Sequence, residues 1–285
     1  MPSLRKLSVI TLGALSVGAA PIAPESPIDS VASDSPVMER RDSASSAAAT
    51  WNGCTYAVKG VGNFNARLSV DFTKTSSLPS TLHASSNTIG QGTAPYSRQF
   101  DPDNLDLESD GLHMIVPGGQ DTSPISSAQM TTVWDDIQYG SVRTVAKASS
   151  VAGSVHGFFY YYDDSQETDI EIRTADTSQV HFTNQVTTPG NAETTYNFTA
   201  PSDITTAFHE YRIDWVAGKT MFYVDGVLKK TVTKNVPSSA GWWMWNNWSN
   251  GNTWTLGPPA SDNHLVIKKI DAYFNRTSIA SCGTK

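Results

Sequence analysis

The chain has 285 residues, a net charge of −7 and only 16% charged residues. That length fits one large domain or two small ones. A mild acidic balance with no basic patch excludes a nucleic-acid binder, which must neutralise phosphates.

From the N-terminus, Arg5 and Lys6 precede an apolar, small-residue run from Leu7 to Ala20 that ends in Gly18-Ala19-Ala20. The run is too short to span a bilayer and reads as a signal peptide over residues 1–20. A secreted protein is therefore expected, extracellular or in a cell wall. No second run of spanning length follows, and Ile279 to Lys285 lacks the hydrophobic tail of a lipid-anchor signal, so no membrane anchor is expected. Residues 21–50 are rich in Ala, Ser, Pro and Asp without periodicity, which predicts a disordered or propeptide segment. Arg40-Arg41 within it is a dibasic dipeptide of the kind used for processing.

Residues 51–285 have a different texture. Short β-prone segments alternate with Gly, Pro, Asn and Asp. Strands are predicted over 140–148, 157–162, 168–173, 180–185, 210–216, 220–224, 227–233, 241–246 and 265–274. Asp225-Gly226 between Val224 and Val227 predicts a tight hairpin, because both central residues of a type I′ turn need positive φ. No segment carries a sustained helical period, and no fixed repeat is present. Many short strands without helices predict an all-β fold. The length suits a β-jelly-roll sandwich of two antiparallel sheets with a concave cleft.

Export also gives meaning to Cys54 and Cys282, near the two ends of this region. In an oxidising compartment they are expected to pair as a disulfide. By the chain-entropy model a loop that long stabilises by about 5 kcal/mol. Asn197-Phe198-Thr199, Asn247-Trp248-Ser249 and Asn275-Arg276-Thr277 are sequons, so glycosylation at Asn197, Asn247 and Asn275 fits the same compartment.

The chemistry centres on Glu167-Thr168-Asp169-Ile170-Glu171. Side chains on a strand alternate faces, so Glu167, Asp169 and Glu171 share one face while Thr168, Ile170 and Ile172 share the other. A solvated edge strand and a cation site are both compatible with the pentapeptide alone. The third reading is glycoside hydrolysis, in which one carboxylate attacks the anomeric carbon and a second serves as acid and then base. In the retaining form the two carboxyls lie about 5–5.5 Å apart. Four strand residues span about 13 Å, so long Glu side chains must lean together. Asp169 between them can hydrogen-bond the nucleophile and couple to its titration.

These residues and their flanks resemble the family 16 glycoside hydrolases. The resemblance runs in order through Tyr139-Gly140-Ser141-Val142, Gly157-Phe158-Phe159-Tyr160-Tyr161, Glu167-Thr168-Asp169-Ile170-Glu171 and Val180-His181-Phe182-Thr183-Asn184. It continues through His209 to Trp215, Phe222 to Val227, and Gly241 to Gly251. It implies a concanavalin-A-like jelly roll, with Glu167 as nucleophile, Asp169 as assisting acid and Glu171 as general acid/base. The absence of an extra residue between Asp169 and Glu171 resembles the unbulged branch, which holds licheninases and wall transglycosylases. Gln166 and Thr168 depart from the residues common in relatives. Lys268 falls where some members carry a calcium-binding Asp, so no metal is expected, and no cofactor.

Trp242, Trp243, Trp245, Trp248 and Trp254 cluster in thirteen residues. If Asn246 faces a sugar cleft, parity puts Trp242, Met244 and Trp248 beside it and sends Trp243 and Trp245 into the core. The same parity points Asn247 inward unless the chain has left the strand. His181, Asn184 and Gln185 are further candidates for binding sugar hydroxyls, and Trp134 and Tyr139 weaker ones.

The expected function is a monomeric, endo-acting, retaining β-glucan hydrolase with a polysaccharide partner. A cell-wall transglycosylase on the same site is the alternative. A non-catalytic glycan-binding protein is a third reading, which the presence of both Glu residues argues against.

Overall fold

The computed structural model describes residues 49–92 and 95–280. The expected signal segment 1–20, nearly all of the 21–50 segment and Cys282 lie outside the described residues. The described part opens on strand pairing, with Thr50 opposite Ala57.

All nine predicted strands form. They extend by a few residues at some ends, as for Ile137–Lys147, Val155–Tyr161 and Asn263–Arg276. Among the described residues the only helical elements are two three-residue 3₁₀ turns, Phe72–Lys74 and Pro102–Asn104. The Asp225-Gly226 turn has φ of 51° and 73°, as its type demands, and sets Val224 opposite Val227.

Two large sheets face each other. The cleft sheet runs Thr194–Thr199, Gln179–Asn184, Glu167–Arg173, Val155–Tyr161, Trp242–Trp248 and Ile125–Thr132, then Arg98–Phe100 and Thr88–Ile89. The back sheet runs Val227–Val232, Lys219–Val224, His209–Val216, Ile137–Lys147, Asn263–Arg276, Gly111–Val116 and Leu105–Glu108. Two features depart from the expected pair of antiparallel sheets. Arg98–Phe100 lies parallel to Ile125–Ser127. A small third sheet joins Thr50–Trp51, Tyr56–Val58 and Gly62–Phe64, and packs Val58 and Phe64 on Tyr273.

The core fills the space between the large sheets. Aromatic side chains dominate it, with Tyr160 and Trp215 3.9 Å apart and Phe182 stacked on Phe222 at 5.0 Å. Burying a large aromatic is worth several kcal/mol only if its polar tip finds a partner. Here the Trp245 indole donates to Thr144 Oγ1 at 2.8 Å, and the Trp215 indole to the Pro237 carbonyl at 2.8 Å. Trp134 packs on Phe274 and Tyr139 on Trp215, so both of these weaker cleft candidates belong to the core side.

Candidate active site

The carboxylate strand forms because its two faces have different destinations. Thr168, Ile170 and Ile172 are fully buried in the core, which suits three β-branched side chains. The Thr168 hydroxyl donates to Asn184 Oδ1 at 2.7 Å, so its polarity is satisfied there. The opposite face carries Glu167, Asp169 and Glu171, all lining one cleft. Gln166, just before the strand, accepts from the backbone N–H groups of Ser238 and Ser239 at 2.7 and 3.1 Å. This departure from relatives has a local role: it pins the 238–239 loop beside the first carboxylate.

The cleft holds about 720 Å³, including its solvent-open mouth. Register explains its floor. Glu171 lies opposite Gly157, Gly157 opposite Asn246, and Asn246 opposite Gln129. Asp169 lies opposite Phe159, and Phe159 opposite Met244. Gly157 is needed here, since a Cβ on it would sit 2.5 Å from Asn246 Oδ1. That oxygen is buried without a hydrogen-bond partner, a group poised to meet a ligand donor. Gly157→Ala is expected to lower kcat/KM on β-glucan by about tenfold or more, with little loss of melting temperature. Unchanged kinetics would mean that the floor beside Glu171 is not occupied by substrate.

The electrostatics follow from three acids sharing a buried surface. Burial pushes Glu167 up to about 8, opposed by hydrogen bonding with Asp169 and by Arg98. Burial, with the charges of both Glu residues, lifts Asp169 well above the carboxylate range. Its closeness to Glu167 lifts it further. Burial raises Glu171 to about 7, opposed first by Trp254 and then by Arg98. The Trp254 indole N–H makes no hydrogen bond of ordinary geometry, so its influence on Glu171 is one of proximity. The three carboxyls titrate as one system rather than as separate groups.

The aromatic parity holds. Met244, Asn246 and Trp248 line the cleft, while Trp243 and Trp245 enter the core. Trp242 packs on Phe159, Tyr161 and Met244 at one end of the same face. Gln185, whose N–H donates to the Glu167 carbonyl at 3.1 Å, also lines the cleft. His181 lies opposite Glu171 on the cleft face but is buried. Its Nδ1–H donates to Asn197 Oδ1 at 2.8 Å, and its ring packs edge-on against Trp254 at 4.9 Å.

Two expectations are corrected. Asn184 does not face the cleft: it lies opposite Thr168, is fully buried, and its Nδ2 donates to the Lys234 carbonyl at 3.0 Å. Asn247 cannot carry a glycan on the folded chain. It is fully buried, and its Nδ2 donates to the Met114 and Asn263 carbonyls, both at 2.8 Å. Asn197 is exposed on the edge strand, and Asn275 is half-buried.

Sequence reasoning missed Arg98, Gln129, Phe159 and Tyr161, all of which line the cleft. Arg98 is the most consequential. It is 7% exposed, and its guanidinium lies 4.0 Å from the Trp248 ring centroid. Burial lowers it to about 10, opposed by the charges of Glu167 and Glu171. It therefore remains a cation beside the two outer carboxylates. Its signal was weak, since a three-residue strand joined in parallel to a distant segment has no local pattern that reveals its face. Phe159 and Tyr161 could have been found by the same parity that placed Met244.

Known proteins share this arrangement of strands. Residues 86–261 match the model of glycosyl hydrolases family 16. A "Beta-glucanase" of Paenibacillus polymyxa is 38% identical over 116 residues, covering 39% of this chain and 48% of that protein. "Congo red hypersensitive protein 1" of Saccharomyces cerevisiae is 32% identical over 151 residues, covering 50% of this chain and 28% of that protein. The chain thus spans about half, or less, of the length of these relatives. Among solved structures, a β-1,3-1,4-glucanase (lichenase) from a mouse hindgut metagenome superposes with a TM-score of 0.62 at 20% identity, over 74% of this chain and 99% of that one. The structure of "Apo Crh5 transglycosylase" gives 0.56 at 18% identity, over 73% and 83%. Both share the fold.

Proposed function

Because the chain belongs to glycosyl hydrolases family 16, we propose that it is a secreted, endo-acting, retaining hydrolase of β-glucan, of the β-1,3/1,4 class. The observation that carries this reading is the row Glu167, Asp169 and Glu171 on the floor of one cleft, on a strand whose other face is core.

In the proposed reaction the Glu167 carboxylate attacks the anomeric carbon as Glu171 gives its proton to the departing glycosidic oxygen. The carbon–oxygen bond breaks, and an ester links the sugar to Glu167. Glu171, now ionised, takes a proton from water. That water attacks the same carbon and frees Glu167, while the configuration inverts twice and is retained. Asp169 holds its proton and donates toward Glu167, favouring the charge that the nucleophile needs. Arg98 acts in the same direction from across the cleft. Burial of Glu171 keeps its proton available near neutrality. Trp248, Phe159 and Tyr161 offer apolar faces to sugar rings, and Asn246 Oδ1 an acceptor for a hydroxyl.

A transglycosylase is the second reading, and the structural likeness to the Crh5 transglycosylase supports it. Only the acceptor differs: a sugar hydroxyl replaces water. The aromatic groups at the Glu171 end bear on this choice. Trp254 there carries the Arg173 guanidinium 4.6 Å from its ring centroid, with the Arg173 Nε–H on its carbonyl at 2.8 Å. The same proposal includes a cell-wall or extracellular location, a Cys54–Cys282 disulfide, and glycans on Asn197 and Asn275.

Incubation with barley mixed-linkage glucan, laminarin, xyloglucan and chitin oligomers tests the reading, with products followed by mass spectrometry and NMR. Hydrolysis is expected to give shorter β-glucan chains whose first-formed ends are β-configured. Chains longer than the donor would favour transfer. The α-anomer as first product would sink the retaining assignment, and no product from any glycan would sink the enzyme reading.

A further inference from the structure

The back sheet carries a second cluster of chemistry-bearing side chains, unrelated to the cleft. Strand alternation sends Leu112, Met114, Leu265 and Ile267 into the core, which leaves His113 and His264 on the outer face. Glu108 reaches the same spot from the neighbouring strand Leu105–Glu108. One ligand atom from each of Glu108, His113 and His264 lies within 4.8 Å of the other two.

The detailed geometry goes further than proximity. His113 Nε2–H donates to Asp110 Oδ1 at 2.7 Å. The other Asp110 oxygen is held by Lys147 at 3.2 Å, which fixes the carboxylate that orients His113. With Nε2 carrying the proton, a neutral His113 presents a bare lone pair at Nδ1. That nitrogen faces His264 Nδ1 at 3.1 Å and Glu108 Oε1 at 3.4 Å. When His264 carries its proton on Nε2, three acceptor atoms converge, and a cation between them relieves the repulsion of lone pairs and carboxylate; with the proton on Nδ1, His264 instead donates to His113 and no ion is needed. An ion bound at about 2.0–2.1 Å in tetrahedral geometry sets its ligands about 3.3 Å apart, close to the two distances from His113 Nδ1, while the third pair lies within 4.8 Å. The ordering of a ligand imidazole by a carboxylate on its far nitrogen is the usual support for a metal-bound histidine.

We propose that Glu108, His113 and His264 form a binding site for a borderline divalent transition ion, Zn²⁺ in the first instance, with Asp110 as the positioning residue for His113. Two imidazoles and one carboxylate fill three positions and leave the fourth to solvent. The ligands come from three adjacent strands, so the ion would clip Leu105–Glu108 and Gly111–Val116 to the long strand Asn263–Arg276. The alternative is an imidazolium at His113 held between Glu108 and Asp110, with no metal.

Titration of ZnCl₂ into the EDTA-stripped full chain, by calorimetry at pH 7.5, separates the two. A single saturable site is expected, together with a rise in melting temperature that grows with Zn²⁺ concentration. Ca²⁺ and Mg²⁺, which prefer all-oxygen sites, are expected to give neither. His264→Ala should weaken Zn²⁺ binding by at least about tenfold, and Asp110→Asn by about tenfold through the orientation of His113. Glu108 is exposed, so Glu108→Gln, which leaves the fold undisturbed, provides a second test if a histidine variant does not fold. Absence of Zn²⁺ binding by the wild-type chain, or equal binding by wild type, His264→Ala and Glu108→Gln, would overturn the proposal.

Discussion

Glu167→Gln is expected to lower turnover of β-glucan by at least about 10³-fold, or about 4 kcal/mol of transition-state stabilisation. The amide is nearly isosteric and remains able to accept from Asp169, so the loss reports on the missing nucleophile rather than on packing. Glu171→Gln should behave differently. On polysaccharide it removes general acid catalysis, a loss of about 10²–10⁴-fold. On an activated aryl β-glycoside the leaving group needs little protonation, so the first step is largely spared. Steady-state kinetics of both variants on both substrates check this. Full activity in Glu167→Gln would remove the nucleophile assignment, and equal losses on the two substrates would remove the acid role of Glu171. The pH profile of the wild type belongs with this pair. It should be a bell whose limbs fall near 7 and 8 and belong to the coupled Glu167 and Glu171 carboxyls together.

Glu167→Gln is also expected to stabilise the fold, increasingly so as pH rises. Burial raises Glu167 from 4.5 to about 8. A carboxyl with a raised folded pKa binds its proton more tightly when folded than when unfolded. The resulting stability is fully present below the unfolded value and is lost as pH rises through the folded one. Between about pH 4.5 and 8 the wild type therefore loses stability that Glu167→Gln keeps. Even a tenfold difference in proton affinity between the folded and unfolded chain is worth about 1.4 kcal/mol, several degrees in a domain of this size. Melting curves at pH 4 and pH 8 are expected to coincide at the first pH and separate at the second, with the variant higher. A variant that melts below wild type at pH 8 would contradict the burial argument.

Much of the sheet framework was legible because its strands are long and their two faces differ. Thr168, Ile170 and Ile172 against Glu167, Asp169 and Glu171 is a pattern that only a strand with one buried face explains. The tryptophan run was legible for the same reason, once Asn246 fixed its parity. The N-terminal third was less readable. Strands such as Arg98–Phe100 are three residues long, too short for alternation to emerge, and this one joins the cleft sheet through a parallel pairing with Ile125–Ser127 that no local turn signals. That is why Arg98 escaped notice although it stands beside the carboxylates. Asn184, by contrast, could have been placed by counting. It is three positions from His181, and an odd spacing on one strand puts the two on opposite faces. Gln185, four positions on, follows the same rule onto the cleft face.

The His113–His264 cluster was invisible for a different reason. Neither histidine sits in a local motif, and their meeting is created by the pairing of strands about 150 residues apart.

The strand Asn263–Arg276 has a consequence for how the molecule comes into being. It pairs along one side with Ile137–Lys147 and along the other with both Ala66–Asp71 and Gly111–Val116. Asn65 is tied to its far end, accepting from Arg276 N–H at 2.8 Å and donating to the Arg276 carbonyl at 3.0 Å. On a ribosome this strand emerges late. Until it does, the early strands of the back sheet lack their partner, and their edges stay open to other chains. Closure of the back sheet therefore waits for a strand that follows all three of its partners. Slow folding is expected of such a topology, because loop closure over about two hundred residues must precede the contacts that reward it. If the chain is exported as proposed above, the sheet would close only once this last strand, too, had crossed the membrane.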